Sequence, residues 1–232
     1  MKLLALDTAT NWLSVACGDG THWHERGEAS AERHSERVLP LISKALAEAG
    51  WLLDEIDGVA FGAGPGSFTG VRIACGIAQG LAFGLNVPVV PVPTLEAMAQ
   101  TAWRESGATE ALVCVDARMR EVYVAAYQRE GDAWRISREP VVVTPTAVQV
   151  PPSATGSWLG IGNGFAAYPE LRSLPGLARV APDTAPSARA IGELALPRFA
   201  AGAGVAAADA RPLYVRHRIA LTTLERDAGL RL

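Results

Sequence analysis

The sequence predicts an α/β protein made of two related lobes. Short apolar runs typical of strands alternate with longer stretches of helical periodicity. Two patterns then recur in the same order. A strand that closes on an aspartate and turns into a second strand occurs at residues 3–17 and again at 112–128, while a strand followed by a glycine turn occurs at 58–66 and 158–164. We therefore expect one lobe on each side of a boundary near residues 106–110.

The elements of the first lobe are predicted from apolar periodicity and from the residues at their ends. Gly18-Asp19-Gly20 predicts a tight hairpin turn, and Gly50 a helix C-cap. Pro40 is expected to bend the first helix or to confine its regular part to the residues after the proline. Thr94 is expected to cap the third helix. The predicted strands are 3–6, 13–17, 21–28, 58–61 and 87–92, and the predicted helices are 33–49, 70–85 and 95–104.

The second half of the chain repeats the alternation of strands and helices. Strands are predicted at 112–116, 121–128 and 158–161, and a helix at 187–201 that Pro197 breaks or kinks. The run at 202–208 is predicted to be a loop. These elements continue the α/β pattern of the first half.

Composition and charge exclude several classes of protein. The 232 residues are 49% hydrophobic and 19% charged, which is typical of a globular chain with enough apolar surface for a core. The net charge of −3 provides no strong positive field for binding a phosphate backbone. Three cysteines without a CxxC pair argue against a disulfide framework or a zinc knuckle and fit a reducing compartment.

Targeting and membrane segments are not expected. Asp7 interrupts the N-terminal apolar run too early for a signal peptide. The most apolar stretch, residues 71–92, contains Gln79, Asn86 and two prolines, so we reject it as a transmembrane helix. We expect a cytoplasmic protein that does not bind membranes.

The strongest local motif is the run at residues 62–72, Gly-Ala-Gly-Pro-Gly-Ser-Phe-Thr-Gly-Val-Arg, which lies between a predicted strand and a predicted helix. Glycines allow a sharp turn and a close approach of backbone N–H groups, and a helix N-terminus attracts anions, so the run could hold a phosphate. It is not a P-loop, because no Lys-Ser/Thr pair comes after the glycines. A tight strand-to-helix connection explains the run equally well.

The next helix contains an unusual row of glycines. Gly76, Gly80 and Gly84 are four residues apart and share one face, and Arg72 and Gln79 are the helix's only strongly polar members. Each helix-interior glycine costs roughly 1 kcal/mol relative to alanine, so close approach of another helix is the expected compensation. We favour a partner chain over packing within the chain's own lobe. A second row of small residues, on roughly the opposite side, consists of Ala74, Ala78 and Ala82.

The histidines give weaker signals. His22 and His24 would share one strand face at a spacing that suits a metal, but no third ligand is apparent, and a solvated hairpin is favoured. His34 and Ser35 are adjacent on a predicted helix, so their side chains point apart, which disfavours a nucleophile–base pair.

Several segments together resemble one family. They comprise residues 4–10 (Leu-Ala-Leu-Asp-Thr-Ala-Thr), 34–36, 62–72, 116–119 with 122–123, and 212–216 (Pro-Leu-Tyr-Val-Arg). Nearly from end to end the sequence resembles the TsaB (YeaZ) family, accessory proteins of bacterial tRNA threonylcarbamoyladenosine synthesis. The resemblance implies an α/β fold of two actin-like ATPase (ASKHA, RNase H-like) lobes, with mixed sheets flanked by helices, at residues 1–106 and 107–232.

The resemblance also implies a role without chemistry of its own. Members of the family dimerise with the related catalytic subunit TsaD, which transfers a threonylcarbamoyl group to N6 of the adenosine beside the anticodon, and the ATPase TsaE joins that pair. Contact with tRNA would then be indirect, and the chain alone could form a homodimer. The family's interface is on the first two helices, which here implies Val38, Leu41, Ile42, Ala45, Arg72, Ile73, Gly76, Ile77, Gly80, Phe83 and Gly84.

Between two actin-like lobes the resemblance implies a cleft that would be the vestige of a nucleotide site. The residues that it implies there are Asp7, Thr8, Gly64, Gly66, Ser67, Asp116, Gly162 and Gly164.

A metal site is not expected. TsaD-type relatives carry two metal-binding histidines at an i, i+4 spacing, and the corresponding positions here are Thr94 and Met98. A hydroxyl and a thioether are poor replacements for imidazole with a hard or borderline metal. The sequence therefore predicts no metal, no cofactor and no transferase activity.

Two enzymatic alternatives remain open. Asp7 and Asp116 could flank a cleft and hold a hydrated cation, which with the glycine loops would suit an actin-like nucleotide phosphotransferase. Each is equally well a turn-forming aspartate. A metal-dependent peptidase is disfavoured by the missing ligands.

Overall fold

The first five strands form a mixed sheet, seen in a computed structural model that describes residues 1–29, 33–153 and 156–215. The strand order is β3-β2-β1-β4-β5, in which β1, β2 and β3 are antiparallel neighbours and β1, β4 and β5 are parallel. The central strands are continuous apolar runs because helices cover both faces. The strands are β1 (Leu3–Asp7), β2 (Trp12–Gly18), β3 (Trp23–Ala29), β4 (Gly58–Gly62) and β5 (Val89–Val92).

The second sheet repeats this topology. Its order is β10-β9-β6-β7-β8, with β6, β7 and β8 antiparallel and β6, β9 and β10 parallel, so β6 to β10 take the places of β1 to β5. The predicted internal repeat is confirmed, and so is the predicted α/β class with two mixed sheets flanked by helices. Its strands are β6 (Glu110–Arg118), β7 (Glu121–Glu130), β8 (Ala133–Val143), β9 (Trp158–Ile161) and β10 (Leu177–Ala181).

The predicted helices are all present, with ends shifted by one or two residues. Gly50 adopts the left-handed conformation of a C-cap, as predicted, and the first helix continues through Pro40. The prediction that Thr94 is an N-cap is wrong, because Thr94 lies inside its helix and its hydroxyl bonds to other segments. The helices are α1 (His34–Ala49), α2 (Phe68–Leu85), α3 (Thr94–Ser106), α4 (Gly164–Ala167) and α5 (Ala188–Ala200).

Two strands of the second lobe, β8 and β10, were not predicted from the sequence. β8 and β10 lie at the two edges of their sheet. Every residue of both strands is exposed or half-buried, and neither strand contains the uninterrupted run of four or more apolar residues that is typical of a buried strand; β8 has three, Val141 to Val143.

The predicted boundary at residues 106 and 107 separates the strands but not the helices. α5, expected in the second lobe, packs on the first sheet, where Ile191 joins a core cluster with Ala5 and Ala60. α3, expected in the first lobe, places Leu95 and Met98 in the core of the second sheet. The segment after α5 stays on the first lobe, where Val205 forms an isolated β-bridge with Val89. Residues 216–232, also expected in the second lobe, lie outside the described part of the chain.

Candidate functional site

α2 presents two faces of opposite character. The alanine row is buried against the first sheet and the neighbouring helix α1. The glycine row is exposed, and a Cβ atom built on any of its three members would meet nothing within 4 Å. Since nothing in the described chain approaches these glycines, the row leaves a strip of exposed helix backbone, which we call the glycine groove. The exposed glycines are Gly76, Gly80 and Gly84, and the buried alanines are Ala74, Ala78 and Ala82.

Large side chains flank this groove. Phe83 is 83% exposed at one end, and Phe68 is 51% exposed at the other, next to Arg72. Ile73 and Ile77 are half-buried. The structure therefore brings all the predicted interface residues of α2 to one accessible or partly accessible surface.

Four predicted interface residues on α1 are not at the surface. The structure buries Val38, Leu41, Ile42 and Ala45 in the core of the first lobe, so their assignment to a partner interface is wrong. Apolar residues at i, i+3 and i+4 are the stripe by which a helix packs on its own sheet. Leu39, 51% exposed, is the large apolar residue on the outer side of α1. Its position outside the buried stripe was the sequence signal that could have identified it as a surface residue of this helix.

By length and composition alone, α2 could also cross a membrane, with a mean hydropathy of 1.3. Of the helices within residues 1–29, 33–153 and 156–215, α2 is the one that meets this test. The alanine row packed on the sheet is typical of a helix belonging to a folded domain.

A cavity of about 470 Å³ lies at the predicted cleft. Gly66, Ser67 and Asp116 are among the residues that line it, together with His34 and Asn163. Five of the eight predicted cleft residues are not among those that line it. They are Asp7, Thr8, Gly64, Gly162 and Gly164.

Asp7 is fully buried beside the cleft and has structural partners. Its carboxylate accepts hydrogen bonds from the Ala9 N–H at 2.7 Å and from the Thr94 hydroxyl at 3.0 Å. The Thr94 hydroxyl in turn accepts one from the Gly64 N–H. Burial raises the pKa of Asp7 from 3.8 to about 6, while these hydrogen bonds oppose the shift. Asp7 thus links its own turn to the Gly64 and Thr94 segments. The backbone of Gly62 lies so close that a Cβ there would overlap the carboxylate, and this packing closes Asp7 off from a cation in the cleft.

The glycine run packs against its own chain. A Cβ on Gly66 would overlap the Ala9 carbonyl, and one on Gly70 would overlap the Thr8 carbonyl. The Ser67 N–H donates to the Ala9 oxygen, and the Gly70 N–H donates to the Ser67 hydroxyl. Two N–H groups that a phosphate cradle would use are therefore already bonded, which favours the tight strand-to-helix connection.

The same packing recurs in the second lobe. A Cβ built on Gly162 or Gly164 would meet the Cys114 carbonyl at 2.5 or 2.8 Å. These glycines are thus required by the close approach of the turn to β6.

Asp116 does reach the cleft, but it is partly neutralised. Its carboxylate accepts from the Arg118 N–H at 2.9 Å and from the Tyr168 hydroxyl at 3.3 Å, and it pairs with the Arg118 guanidinium at 3.3 Å. Nearby, burial lowers the pKa of His34, whose Nε2 has no hydrogen-bond partner among the described residues. The cleft thus offers one paired carboxylate and one imidazole, that of His34, whose pKa burial lowers.

No described group of three or more His, Cys, Asp or Glu side chains, within residues 1–29, 33–153 and 156–215, could hold a metal ion. Thr94 and Met98, which the resemblance places at the metal-ligand positions of TsaD-type proteins, are buried in the core. Cys17, Cys75 and Cys114 are all buried and unpaired, as expected of a chain without disulfides.

Comparisons with known proteins agree with the fold and the motifs. Residues 27–210 match the model of the family "TsaD: tRNA N6-adenosine threonylcarbamoyltransferase". The tRNA threonylcarbamoyladenosine biosynthesis protein TsaB of Escherichia coli K12 is 41% identical, over 95% of this chain and 96% of that protein, and that of Haemophilus influenzae is 37% identical over 94% and 95%. The solved structure of YeaZ from Pseudomonas aeruginosa superposes with a TM-score of 0.86 at 40% identity, covering 92% of this chain and 99% of that one. Since both TsaB relatives are at least 37% identical to this chain over 94% or more of its length, this chain belongs to the TsaB (YeaZ) family.

Proposed function

We propose that this chain is a non-catalytic subunit of the machinery that makes threonylcarbamoyladenosine in tRNA. In this proposal it dimerises with TsaD through α2 and, together with TsaE, supports transfer of threonylcarbamoyl to N6 of the adenosine beside the anticodon. The names of the relatives support the pathway. The assembly takes place in the cytoplasm, and contact with tRNA falls mainly to the partners.

The observation that carries the proposal is the exposed glycine row of α2. A helix-interior glycine costs roughly 1 kcal/mol relative to alanine, which applies in full to Gly76 and Gly80 and less to Gly84 near the helix end, and nothing in the described chain uses the space that the three leave. A helix from another chain can approach a glycine-lined surface more closely than any other, and the resulting contacts offset that cost. Phe83, largely exposed in the isolated chain, would be covered by the same partner.

The non-catalytic role rests on the chemistry of the cleft. Asp7 is enclosed by its own lobe, and the N–H groups of Ser67 and Gly70 are already bonded. By the resemblance, Thr94 and Met98 take the positions at which TsaD-type proteins carry metal-binding histidines. These features disfavour both the phosphotransferase and the peptidase alternatives.

The test of dimerisation is the variant Gly80→Leu. A leucine at the centre of the row would hold a facing helix away, so we expect loss of co-purification with the TsaD subunit of the same organism, while circular dichroism shows an unchanged fold. Ala200→Leu, at the exposed end of α5, adds a leucine to a different helix and should leave the complex intact. An intact complex with Gly80→Leu would contradict the proposed interface.

Two further measurements bear on the same proposal. Without TsaD, the exposed face of α2 is expected to pair with a second copy, which concentration-dependent light scattering would detect. Calorimetry with ATP and magnesium should give no turnover by the isolated chain. Micromolar binding with turnover would favour the phosphotransferase instead.

A further inference from the structure

Arg72 lies over the ring of Phe68 at one end of the glycine row, with the ring of Tyr214 to its side. Its guanidinium carbon lies 3.2 Å from the ring centre of Phe68 and 5.1 Å from that of Tyr214. The guanidinium also donates a hydrogen bond to the Phe68 carbonyl at 3.3 Å. Such stacking fixes the plane of the fork before any ligand arrives.

The residues around Arg72 form a depression of about 550 Å³ between α2 and the chain segment after α5. Arg211 also lines it, with Gln79, Cys75 and Gly76 along the α2 side. Cys75 and Gln79 both donate to the Ala210 carbonyl, which anchors the segment beside the helix. The depression is therefore continuous with the glycine groove and has a built wall.

The charge of this depression is one-sided. Neither Arg72 nor Arg211 has a carboxylate partner in the part of the chain that the structure describes, and no described aspartate or glutamate lines the depression. By contrast, Arg26 and Arg37 of the same lobe each bind a glutamate, Glu48 and Glu28 respectively, through two nitrogens. A pair of unneutralised guanidinium groups beside an apolar groove calls for a complementary anion.

We propose that this depression receives a carboxylate side chain from the TsaD helix that packs along the glycine row. The occupant is thereby assigned a chemistry: small side chains over the glycines, and an aspartate or glutamate that reaches Arg72 and Arg211 at one end. A planar fork held over the Phe68 ring binds a carboxylate through two parallel hydrogen bonds and so fixes the register of the helix along the groove. This inference rests on the proposed function, since it names the partner's contact at the same surface.

The experiment is calorimetric titration of the full-length chain with the purified TsaD subunit at low and high salt. For the double variant Arg72→Glu with Arg211→Glu, we expect affinity to fall roughly tenfold or more at low salt and its salt dependence to flatten or reverse. Arg72→Lys keeps the charge but loses the planar guanidinium, so its affinity for TsaD should lie between those of the unmodified chain and the double variant. Arg179→Glu, an exposed arginine on β10 without a described ion-pair partner, is the matched control and should bind as the unmodified chain does.

The outcomes separate this inference from the proposed function. If Gly80→Leu abolishes binding while the double variant keeps the affinity and salt dependence of the unmodified chain, dimerisation stands and the carboxylate contact is refuted. If the unmodified chain does not bind TsaD, both fail. If the double variant keeps its affinity for TsaD but loses affinity for tRNA, the depression is a phosphate site and the inference is overturned.

Discussion

The glycine row of α2 makes a prediction in which stability and binding change in opposite directions. The change is a triple substitution, Gly76→Ala, Gly80→Ala and Gly84→Ala. All three sites have helical backbone without a positive φ, and an added Cβ meets nothing within 4 Å. The methyl groups therefore enter open space in the isolated chain.

The magnitude is set by helix propensity. Alanine is favoured over glycine by about 1 kcal/mol in a helix interior, partly because glycine gives the unfolded chain more freedom. Gly84 lies next to the last helical residue and contributes less. We expect the free energy of unfolding to rise by about 2–3 kcal/mol, which for a chain of this length raises Tm by roughly 5–10 °C. Affinity for TsaD should fall at least about tenfold, because the methyl groups overpack a close helix contact.

The assay pairs urea denaturation of the isolated chain with calorimetric titration against TsaD. Gly70→Ala is the matched control, since it is the same substitution in the same helix. There the new Cβ would overlap the Thr8 carbonyl, so we expect destabilisation by about 1–3 kcal/mol. A triple variant that is no more stable than the unmodified chain would refute the argument from open space, and one that binds TsaD with unchanged affinity would refute the close helix contact.

Two further predictions concern buried polar groups. Because the pKa of Asp7 is raised from 3.8 to about 6, ionisation of this carboxyl opposes folding, and the free energy of unfolding should fall by about 3 kcal/mol as pH rises from below 4 to above 6. Asp7→Asn should remove this pH dependence. If urea denaturation gives the same pH profile for the variant and the unmodified chain, the prediction is wrong. The buried Gln100 side chain accepts hydrogen bonds from Arg129 and Trp134 and donates one to Glu193. Gln100→Leu should therefore lower the free energy of unfolding, measured by urea denaturation, by about 2 kcal/mol or more. A loss below about 0.5 kcal/mol would contradict this and show that water replaces these hydrogen bonds.

Local patterns were sufficient for much of the fold. Apolar periodicity located all the helices of the first lobe, and the repeated strand–aspartate–turn motif revealed the internal repeat that the two sheets confirm. The edge strands β8 and β10 were missed because they do not carry the pattern of a buried strand. What sequence reasoning recovered was thus the part of the fold encoded in neighbouring residues.

For the site, the sequence identified the glycine row of α2 but misassigned the apolar stripe of α1. Both are sets of residues that share a helix face, and nothing local distinguishes a face covered by the chain's own sheet from one left open. Val38 and its neighbours are covered by β2, whereas Gly80 faces open space. In the same way, Asp7 is an ordinary turn aspartate in sequence, and only the packing of Gly62 and Thr94 around it shows that it is enclosed.

The sequence by itself determined the family, through its motifs. It also determined the order of the elements and which residues share each helix face, because these depend on residues that are near neighbours in the chain. Only the tertiary structure decided that α5 covers the first sheet, that the glycine row is exposed, and that Tyr214 lies beside Arg72, which is more than a hundred positions away in the sequence. The physical reason is that burial is a property of a surface and its cover. A helix face is covered by distant parts of the same chain or by another chain, and the periodicity of the helix does not indicate which of these covers it.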